Sequence, residues 1–333
     1  MSGHARGRVL PLAIGAVLLA AVMVLAVSVG SEPTSIVRAV VDPDSLDRVL
    51  ILDARLPRVA LAACAGAGLS VVGVAFQALL RNPLAEPYVL GVSGGAALGA
   101  SLAIALGAST ATVLGASILP AAALFGGLGA TALVYMIARA AGPASGTTIL
   151  LAGVIVNALA GAAITFLKTL VSASKSQELL FWLMGFLDVP SRASLAIVSV
   201  FVAAGSFALF LDAGRMNLLA LGSDPAGHLG VDVAKLERRV FFACSAVVGA
   251  VVSVTGLIGF VGLVVPHALR RLVGPDHRLL LPLSLLGGGA VLVACDLASR
   301  VAFRYLGTEP PVGALTAVIG GPVFLALLGR RRA

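Results

Sequence analysis

Residues that could do chemistry are few in this sequence and lie far apart. The histidines are His4, His228, His267 and His277, and the cysteines are Cys64, Cys244 and Cys295. The histidines have no spacing typical of metal or haem ligands. The cysteines are distant from one another and form no CxxC pair, which excludes a disulfide framework and a structural zinc site. We therefore expect this chain to bind no metal and no other cofactor.

The lysines exclude a nucleotide-binding loop. A phosphate-binding GxxxxGK[ST] loop needs a lysine directly after a glycine, but Lys168, Lys175 and Lys235 follow leucine, serine and alanine. The sequence also lacks a convergent His/Asp/Glu or Ser/His set of the kind that a membrane-embedded enzyme needs. The chain is therefore predicted not to be an enzyme and not to hydrolyse ATP itself.

Composition indicates a membrane protein. Of 333 residues, 11% are charged and 59% are hydrophobic, whereas soluble domains have about 25% charged residues. The mean hydropathy is +1.07, so polar groups are too few to cover the surface of a soluble protein. In so apolar a chain, the net charge of +8 indicates cytoplasmic loops near anionic headgroups rather than binding to nucleic acid.

Charge-free apolar runs predict the membrane-spanning helices, since a span needs about 20 apolar residues to cross about 30 Å of hydrocarbon. The runs are 9–31, 59–80, 87–138, 140–167, 193–211, 240–269, 279–295 and 310–329. Run 87–138 is too long for one crossing, and its Gly/Ser/Thr-rich middle at 107–112 predicts a turn between two spans. Run 240–269 forms either one tilted helix or two short helices broken near Gly256 and Gly259, because glycine destabilises a helix interior.

The apolar runs give nine spans if 240–269 is one helix and ten if it is two, and positive charge decides between them. Arginines lie near both ends of the chain, and the positive-inside rule places both ends in the cytoplasm, which requires an even number of crossings. The prediction is ten spans in a single transmembrane domain, 1–333. A signal peptide at 9–31 is the alternative, but this run is too long for one and no small-residue cleavage site follows closely.

Two arginines lie at the predicted outer mouth of the second span. Arg55 and Arg58 are three residues apart and therefore share one helix face. They either extend to lipid headgroups or bind carboxylates of an external partner, with which arginine forms bidentate pairs. Asp296, near the outer end of its span, is the main candidate for an ionisable residue inside the membrane.

Two inner segments have sequences typical of moving or docking parts. Segment 81–87 contains Pro83 and Pro87, which forbid a continuous helix, and it forms either a tight turn or a gate lining a pathway. Segment 212–239 is the longest polar stretch and predicts short helices that lie parallel to the membrane and face a cytoplasmic partner. Within it, Asp224 is predicted to be a helix N-cap, because Pro225 follows at the first helical position.

Six stretches of the sequence, spread over nearly the whole chain, carry a family resemblance. The stretches are RLPR (55–58), FQALLRNPLAEPYVLGVSGGAALG (76–99), LLAGV (150–154), LGSDPAGHLGV (221–231), GFVGLVVPHALRRLVGPDHRLLLP (259–282) and EPPVGALTAVIGGPVFLALL (309–328). In this order and spacing they resemble the FecCD-type permeases of bacterial ABC importers for cobalamin, iron-siderophores and haem.

The resemblance implies an all-α polytopic membrane protein with about ten spans, similar to cobalamin permeases. It implies a homodimer, or a pseudo-dimer with a second permease, in the bacterial inner membrane. Two cytoplasmic ATPase subunits would bind the ATP and Mg²⁺, and a periplasmic binding protein would deliver the cargo. These partners agree with the missing nucleotide-binding loop.

The resemblance also implies roles for particular residues. Arg55, Arg58 and Arg300 match the outer arginines that meet glutamates of the binding protein. One gate layer matches Asn82 and Leu84, and a second falls at Gly146 and Thr147, where this chain has Gly-Thr in place of the familiar polar pair. The segment that contacts the ATPase contains Gly222, Asp224, Ala226, Gly227, His228, Leu229 and Gly230.

The predicted function is therefore import of an iron-siderophore, haem or cobalamin as the transmembrane subunit of an ABC importer. The alternative is a secondary transporter of a small organic solute. That class needs ion-coupling residues within the membrane, and apart from Asp296 the spans offer almost none.

Overall fold

The computed structural model of the protein describes residues 2–108, 112–113, 116–140 and 146–329, and nearly all of this part is helical. The helices are α1 (Ser2–Ser28), α2 (Ile36–Val41), α3 (Leu46–Val49), α4 (Leu56–Leu79), α5 (Val92–Ala105), α6 (Ile118–Ala140), α7 (Gly146–Leu170), α8 (Ala173–Met184), α9 (Arg192–Leu211), α10 (Ala213–Leu219), α11 (Ser223–His228), α12 (Val233–Thr255), α13 (Val261–Val273), α14 (His277–Leu306) and α15 (Val312–Gly329). Strands β1 (Thr112–Val113) and β2 (Ala116–Ser117) pair antiparallel between α5 and α6. A π-helical turn, Leu50–Arg55, leads into α4, and a 3-10 turn, Pro87–Leu90, precedes α5.

Contacts between helix termini define two ends of the bundle. A cleft brings together the end of α4 at Arg81, the start of α7 at Gly146 and the start of α12 at Val233. The end of α9 lies there too, because Asp212 Oδ2 pairs with Arg239 Nη2 at 3.2 Å. We call this end, which also carries α11, the α11 end. At the other end, which we call the opposite end, α1 stops and α14 passes it at Arg300.

Among the described residues, seven helices are long and apolar enough to cross a membrane by length and composition, and α5 and α15 are shorter apolar helices. Helix α13 leads from the break after α12 back to the α11 end. Helix α8 does not run from one end of the bundle to the other. Helix α7 leads away from the α11 end and α9 returns to it, so α8 and the segment 185–191 between them lie at the opposite end.

The structure confirms both predicted interruptions of apolar runs. Run 87–138 divides into α5 and α6, although residues 109–111 of the predicted turn lie outside the described residues. Run 240–269 divides into α12, which ends at Thr255, and α13, which begins at Val261. Gly256 begins the break with a φ of +64°, in the left-handed region that glycine adopts most easily.

Helix α4 is the centre of the bundle. In the most apolar window of residues 46–79, 83% of the residues are buried inside the protein, against 11% for the window in α1. Small residues in α4 allow its neighbours to surround it closely. Helices in a membrane have no hydrophobic driving force for association, so they associate through close packing of their backbones. A Cβ on Gly66 would collide with the backbone of Gly288 in α14, and one on Gly73 with the backbone of Gly262 in α13.

Candidate functional sites

Helices α10 and α11 confirm the predicted short helices in segment 212–239. Helix α11 starts two residues earlier than predicted, so the N-cap at Asp224 was wrong: the cap is Gly222, whose φ is +121°. This left-handed conformation favours glycine and turns the chain sharply into the helix. Asp224 instead lies in the first turn, where its charge interacts favourably with the helix N-terminus. Pro225 is also in the first turn, where a missing N–H is harmless.

The predicted ATPase-coupling residues divide into an inward and an outward set. Ala226 is fully buried, at 0% exposure, and so packs inside the protein. The residues that follow are exposed: Gly227, His228, Leu229 and Gly230. Leu229 is 58% exposed and Leu221, before the helix, is 65% exposed. A Cβ on Gly227 would meet nothing within 4 Å, so α11 presents a small, partly apolar outer surface.

One asparagine connects α10 to the turn between α13 and α14. Asn217 Nδ2 donates to Asp276 Oδ1 at 2.7 Å, and Asn217 Oδ1 accepts from the backbone N–H of His277 at 2.9 Å. Asp276 also caps α14 by accepting from Arg278 N at 3.0 Å. The short helices that follow α9 are therefore joined to the start of α14.

The first pair of predicted gate residues lies in the turn after α4. Asn82 Oδ1 accepts a hydrogen bond from Leu84 N at 3.0 Å, a local turn that asparagine favours. Leu84 is 40% exposed. The turn begins at Arg81, which has a φ of +47°, an uncommon conformation for a residue that is not glycine.

The second pair of predicted gate residues lies at the start of α7, next to the first. A Cβ on Gly146 would be 3.2 Å from the carbonyl oxygen of Leu79, and Thr147 is exposed. Both residues border a cleft of about 810 Å³ at the α11 end. Basic side chains from three elements also line this cleft: Arg81, Arg139, Lys235 and Arg238. The structure thus brings the two predicted layers together, and their role as gates stays a prediction.

The turn after α4 continues into residues 86–88, which are hydrogen-bonded to α7 and to the segment that leads into α13. Glu86 Oε1 accepts from the backbone N–H of Phe260 at 2.9 Å, at the start of α13. The Tyr88 hydroxyl donates to Ile258 O at 2.7 Å and accepts from Ile258 N at 3.0 Å. Asn157 of α7 donates to the Tyr88 carbonyl at 2.7 Å. Sequence reasoning missed these partners, because nothing in the spacing relates residues 86–88 to 258–260.

Three arginines at the opposite end bind the end of α1. The last carbonyl groups of a helix have no partner within the helix, and cations near a helix C-terminus are stabilising. Arg55 is buried, at 7% exposure, and Arg300 at 3%, whereas Arg304 is exposed. The carbonyls are bound in pairs, Ala26 and Val29 by Arg300, Val27 and Ser28 by Arg55, and Gly30 and Ser31 by Arg304.

A buried ion network lies beside these bonds. Asp296, at 0% side-chain exposure, accepts from Arg58 Nε at 2.8 Å and from Arg300 Nε at 2.9 Å. Arg58 also pairs with Glu309 at 2.8 Å, and Glu309 Oε1 accepts from the Ser31 hydroxyl at 2.9 Å. The network joins α4, α14 and the segment before α15.

The predicted docking residues therefore have partners inside the protein. The guanidinium groups of Arg55, Arg58 and Arg300 all lie at the opposite end, as one cluster, and all donate to internal acceptors. Asp296, which sequence reasoning singled out, is the anion that two of them share. Sequence reasoning missed Arg304 and Glu309. Docking of a partner by these arginines stays a prediction.

Among the described residues, no group of three or more His, Cys, Asp and Glu side chains could hold a metal ion. The described helices define a multi-pass helical membrane protein, with the exposed face of α11 at one end and a buried ion network at the other.

The FecCD transport family matches residues 14–330. The cobalamin import system permease protein BtuC of Halobacterium salinarum is 42% identical over 284 residues, covering 85% of this chain and 74% of the relative. The hemin transport system permease protein HmuU of Yersinia pestis is 37% identical, covering 84% of this chain and 83% of the relative. A Helicobacter pylori protein named "Probable iron chelatin transport system permease protein" is 38% identical, covering 85% and 83%.

A solved structure described as an inward-facing metal-chelate type ABC transporter has the same fold. Its TM-score is 0.85 at 33% identity, and the match covers 96% of this chain and 98% of that one. The protein is a membrane permease of the ABC importer class. It belongs to the FecCD transport family, which disfavours the alternative of a secondary transporter.

Proposed function

We propose that this permease moves a cobalamin, haem or iron-siderophore across the bacterial inner membrane. A periplasmic binding protein delivers the cargo, and two separate cytoplasmic ATPase subunits supply the energy. The relatives named for cobalamin, hemin and iron chelatin support this range of cargo. The pathway lies between two permease subunits, either two copies of this chain or this chain and a second permease.

The observation that carries the proposal is the outer surface of α11. The chain has no nucleotide-binding loop of its own, so the energy of ATP hydrolysis must enter through contact with another subunit. Gly227 leaves open space within 4 Å of its missing side chain, and the exposed Leu221 and Leu229 lie to either side of it in sequence. Such a small and apolar projection fits a groove on an ATPase subunit.

We expect Gly227→Trp to uncouple the transporter. The indole would extend from α11 into the space that the ATPase occupies, so ATP-driven uptake is expected to fall about tenfold or more, as at an interface hot spot. The measurement uses the permease purified with its ATPase subunits, reconstituted into vesicles with the binding protein. Uptake of labelled cobalamin, haem and ferric siderophore is followed together with ATPase co-purification.

Gly227→Ala is the matched control, because a methyl group at this position meets nothing within 4 Å and is expected to transport normally. Ala226→Trp is not a clean test, since Ala226 is fully buried and a large side chain there would disturb folding. Normal uptake by Gly227→Trp would remove the coupling role of α11. Absence of ATP-driven uptake of all three cargoes by the wild-type complex would overturn the proposed function.

The opposite end is the proposed site of docking for the binding protein. Arg55, Arg58 and Arg300 form a basic cluster there, as the family resemblance implies. Their internal hydrogen bonds mean that contact with glutamates of a partner would add to, or replace, existing bonds. Capture of the loaded binding protein by the same vesicles tests this docking, and Gly227→Trp is expected to leave it intact because α11 lies at the other end of the bundle.

Both ends of the chain are proposed to face the cytoplasm. Ten crossings between the two ends of the bundle would return the chain to the α11 end, where the ATPase subunits would bind. We expect cysteines placed beside Ser2 and beside Ala333 to react with an impermeant maleimide only from the cytoplasmic side. Labelling of either cysteine from the periplasm would contradict the ten-span arrangement.

A further inference from the structure

Two irregular segments meet inside the bundle. One is the turn 81–91, which contains the predicted gate residues Asn82 and Leu84. The other is the break 256–260 between α12 and α13. Among the described residues, Arg81 and Phe260 are the two that are not glycine and have a positive φ, at +47° and +67°. Such conformations cost free energy and persist where the surrounding structure holds them.

Side chains of the turn 81–91, which we call the gate segment because it contains the predicted gate residues, bind backbone groups of the break 256–260. Backbone groups inside a bilayer need partners within the protein, because hydrocarbon supplies none. Glu86 Oε1 accepts from Phe260 N at 2.9 Å, and the Tyr88 hydroxyl binds both the N–H and the carbonyl of Ile258, at 3.0 and 2.7 Å. Phe260 is the N-cap of α13, and Ile258 lies two residues before it. Backbone N–H groups at a helix N-terminus lack partners within the helix, and a carboxylate is favoured there.

The gate segment also contacts α13 through packing. A Cβ on Gly262 would lie 3.0 Å from Pro87 Cγ and 2.7 Å from the carbonyl oxygen of Leu69 in α4. Gln77, near the end of α4, donates to the Leu263 carbonyl at 3.5 Å. Helix α13 therefore cannot shift at its start without moving the segment that carries Asn82 and Leu84.

The other end of α13 is tied to the coupling helices. Helix α13 has 13 residues and leads directly into the turn at Asp276. There Asn217 of α10 binds Asp276 and His277, at 2.7 and 2.9 Å. Bonds and packing thus run continuously from α10 and α11, through the 274–277 turn and α13, to Glu86 and Tyr88.

We infer that α13 transmits the position of α11 to the gate, and that Glu86 and Tyr88 are the positioning residues that join α13 to it. When the ATPase subunits displace α11, Asn217 of α10 moves the 274–277 turn, and α13 moves with it. The hydrogen bonds at Ile258 and Phe260 then move the gate segment, which contains Asn82 and Leu84. The inference rests on the proposed function, because it takes α11 as the ATPase contact, and it uses Asn82 and Leu84 as the predicted gate residues.

The test measures the gate directly rather than stability. In a variant with Cys64, Cys244 and Cys295 replaced by alanine, Leu84→Cys supplies a single thiol at a position that is 40% exposed. Its reaction rate with a maleimide is compared in the reconstituted complex without nucleotide and with ATP trapped by vanadate. Tyr88→Phe removes one hydroxyl, and Glu86→Ala removes the carboxylate. Each is expected to reduce the effect of nucleotide on the labelling rate by about fivefold or more, a typical allosteric coupling.

Three comparisons show whether Glu86 and Tyr88 act on position rather than on stability alone. Glu86→Gln keeps a carbonyl acceptor for Phe260 N and is expected to restore most of the nucleotide effect. Tyr305→Phe, at a tyrosine that is 84% exposed, and Glu32→Ala, at an exposed glutamate, are expected to label as the parent does. ATPase activity is measured alongside, and the Tyr88 and Glu86 variants are expected to hydrolyse more ATP per cargo molecule.

The outcomes separate this inference from the proposed function. If Gly227→Trp abolishes the nucleotide effect while Tyr88→Phe and Glu86→Ala keep it, coupling runs elsewhere and the inference is overturned. If Gly227→Trp keeps the effect too, the proposed role of α11 is wrong. Should Glu86→Ala fail to assemble, Tyr88→Phe decides alone, because it adds no atoms to the packed segment.

Discussion

Asp296→Ala is expected to lower the free energy of unfolding by about 3–5 kcal/mol, the usual cost of removing one partner from a buried ion pair. The reason is that Arg58 and Arg300 share this carboxylate, at 2.8 and 2.9 Å. Asp296 has 0% side-chain exposure and Arg300 has 4%, so water cannot replace the lost partner. Denaturant unfolding of the purified permease in detergent measures the change.

Two further variants show what the loss consists of. Asp296→Asn keeps the shape of the side chain but removes its charge, and it is expected to destabilise nearly as much because both guanidinium groups stay buried. Asp53→Ala removes an exposed acid from the turn that precedes α4 and is expected to change stability by no more than about 0.5 kcal/mol. Equal effects of Asp296→Ala and Asp53→Ala would show that the network contributes no more than a surface charge.

The arginines show where sequence reasoning reaches its limit. The three-residue spacing of Arg55 and Arg58 correctly placed them together at one end of the second span. Their internal partners could not be predicted, because the carbonyls that Arg55 binds belong to Val27 and Ser28 at the end of α1. That helix end meets α4 only in the folded bundle, and Arg300 reaches Ala26 across 274 positions of sequence.

The spans themselves were predictable from the sequence. Their apolar runs are long, and glycine at Gly256 marks the break between α12 and α13 that the structure contains. Helix α8 was not predicted, because its lysine and glutamate remove it from the apolar runs and its 12 residues resemble a loop. The contact of Glu86 with Phe260 could not be predicted either, because a glutamate between Pro83 and Pro87 is typical of a solvated turn.

The gate segment and the ion network lie at different depths of one scaffold, and α4 connects them. Arg58 lies near the start of α4 and binds Asp296, while Gln77 near its end approaches α13. Between them, small residues allow α13 and α14 to pack directly on the α4 backbone. A change that separates α4 from α13 is therefore expected to disturb both the fold and the position of the predicted gate residues.

Gly73→Ala is expected to destabilise the permease by more than about 3 kcal/mol, beyond the usual range for overpacking. The added Cβ would overlap the carbonyl and Cα of Gly262, which are backbone atoms and cannot rotate away. Gly262 also lies close to Pro87 and to the Leu69 carbonyl of α4, so little space surrounds the added methyl group. Denaturant unfolding in detergent, together with the yield of folded protein, measures the effect.

Gly129→Ala is the matched control, since Gly129 in α6 has nothing within 4 Å of an added Cβ. There the same substitution is expected to be neutral or to stabilise by up to about 1 kcal/mol, because alanine is the better helix former. Each variant adds one methyl group to the wild type, so the difference between their stabilities measures the effect of the close approach of α4 and α13. Equal stability of Gly73→Ala and Gly129→Ala would contradict the packing that places α13 against α4.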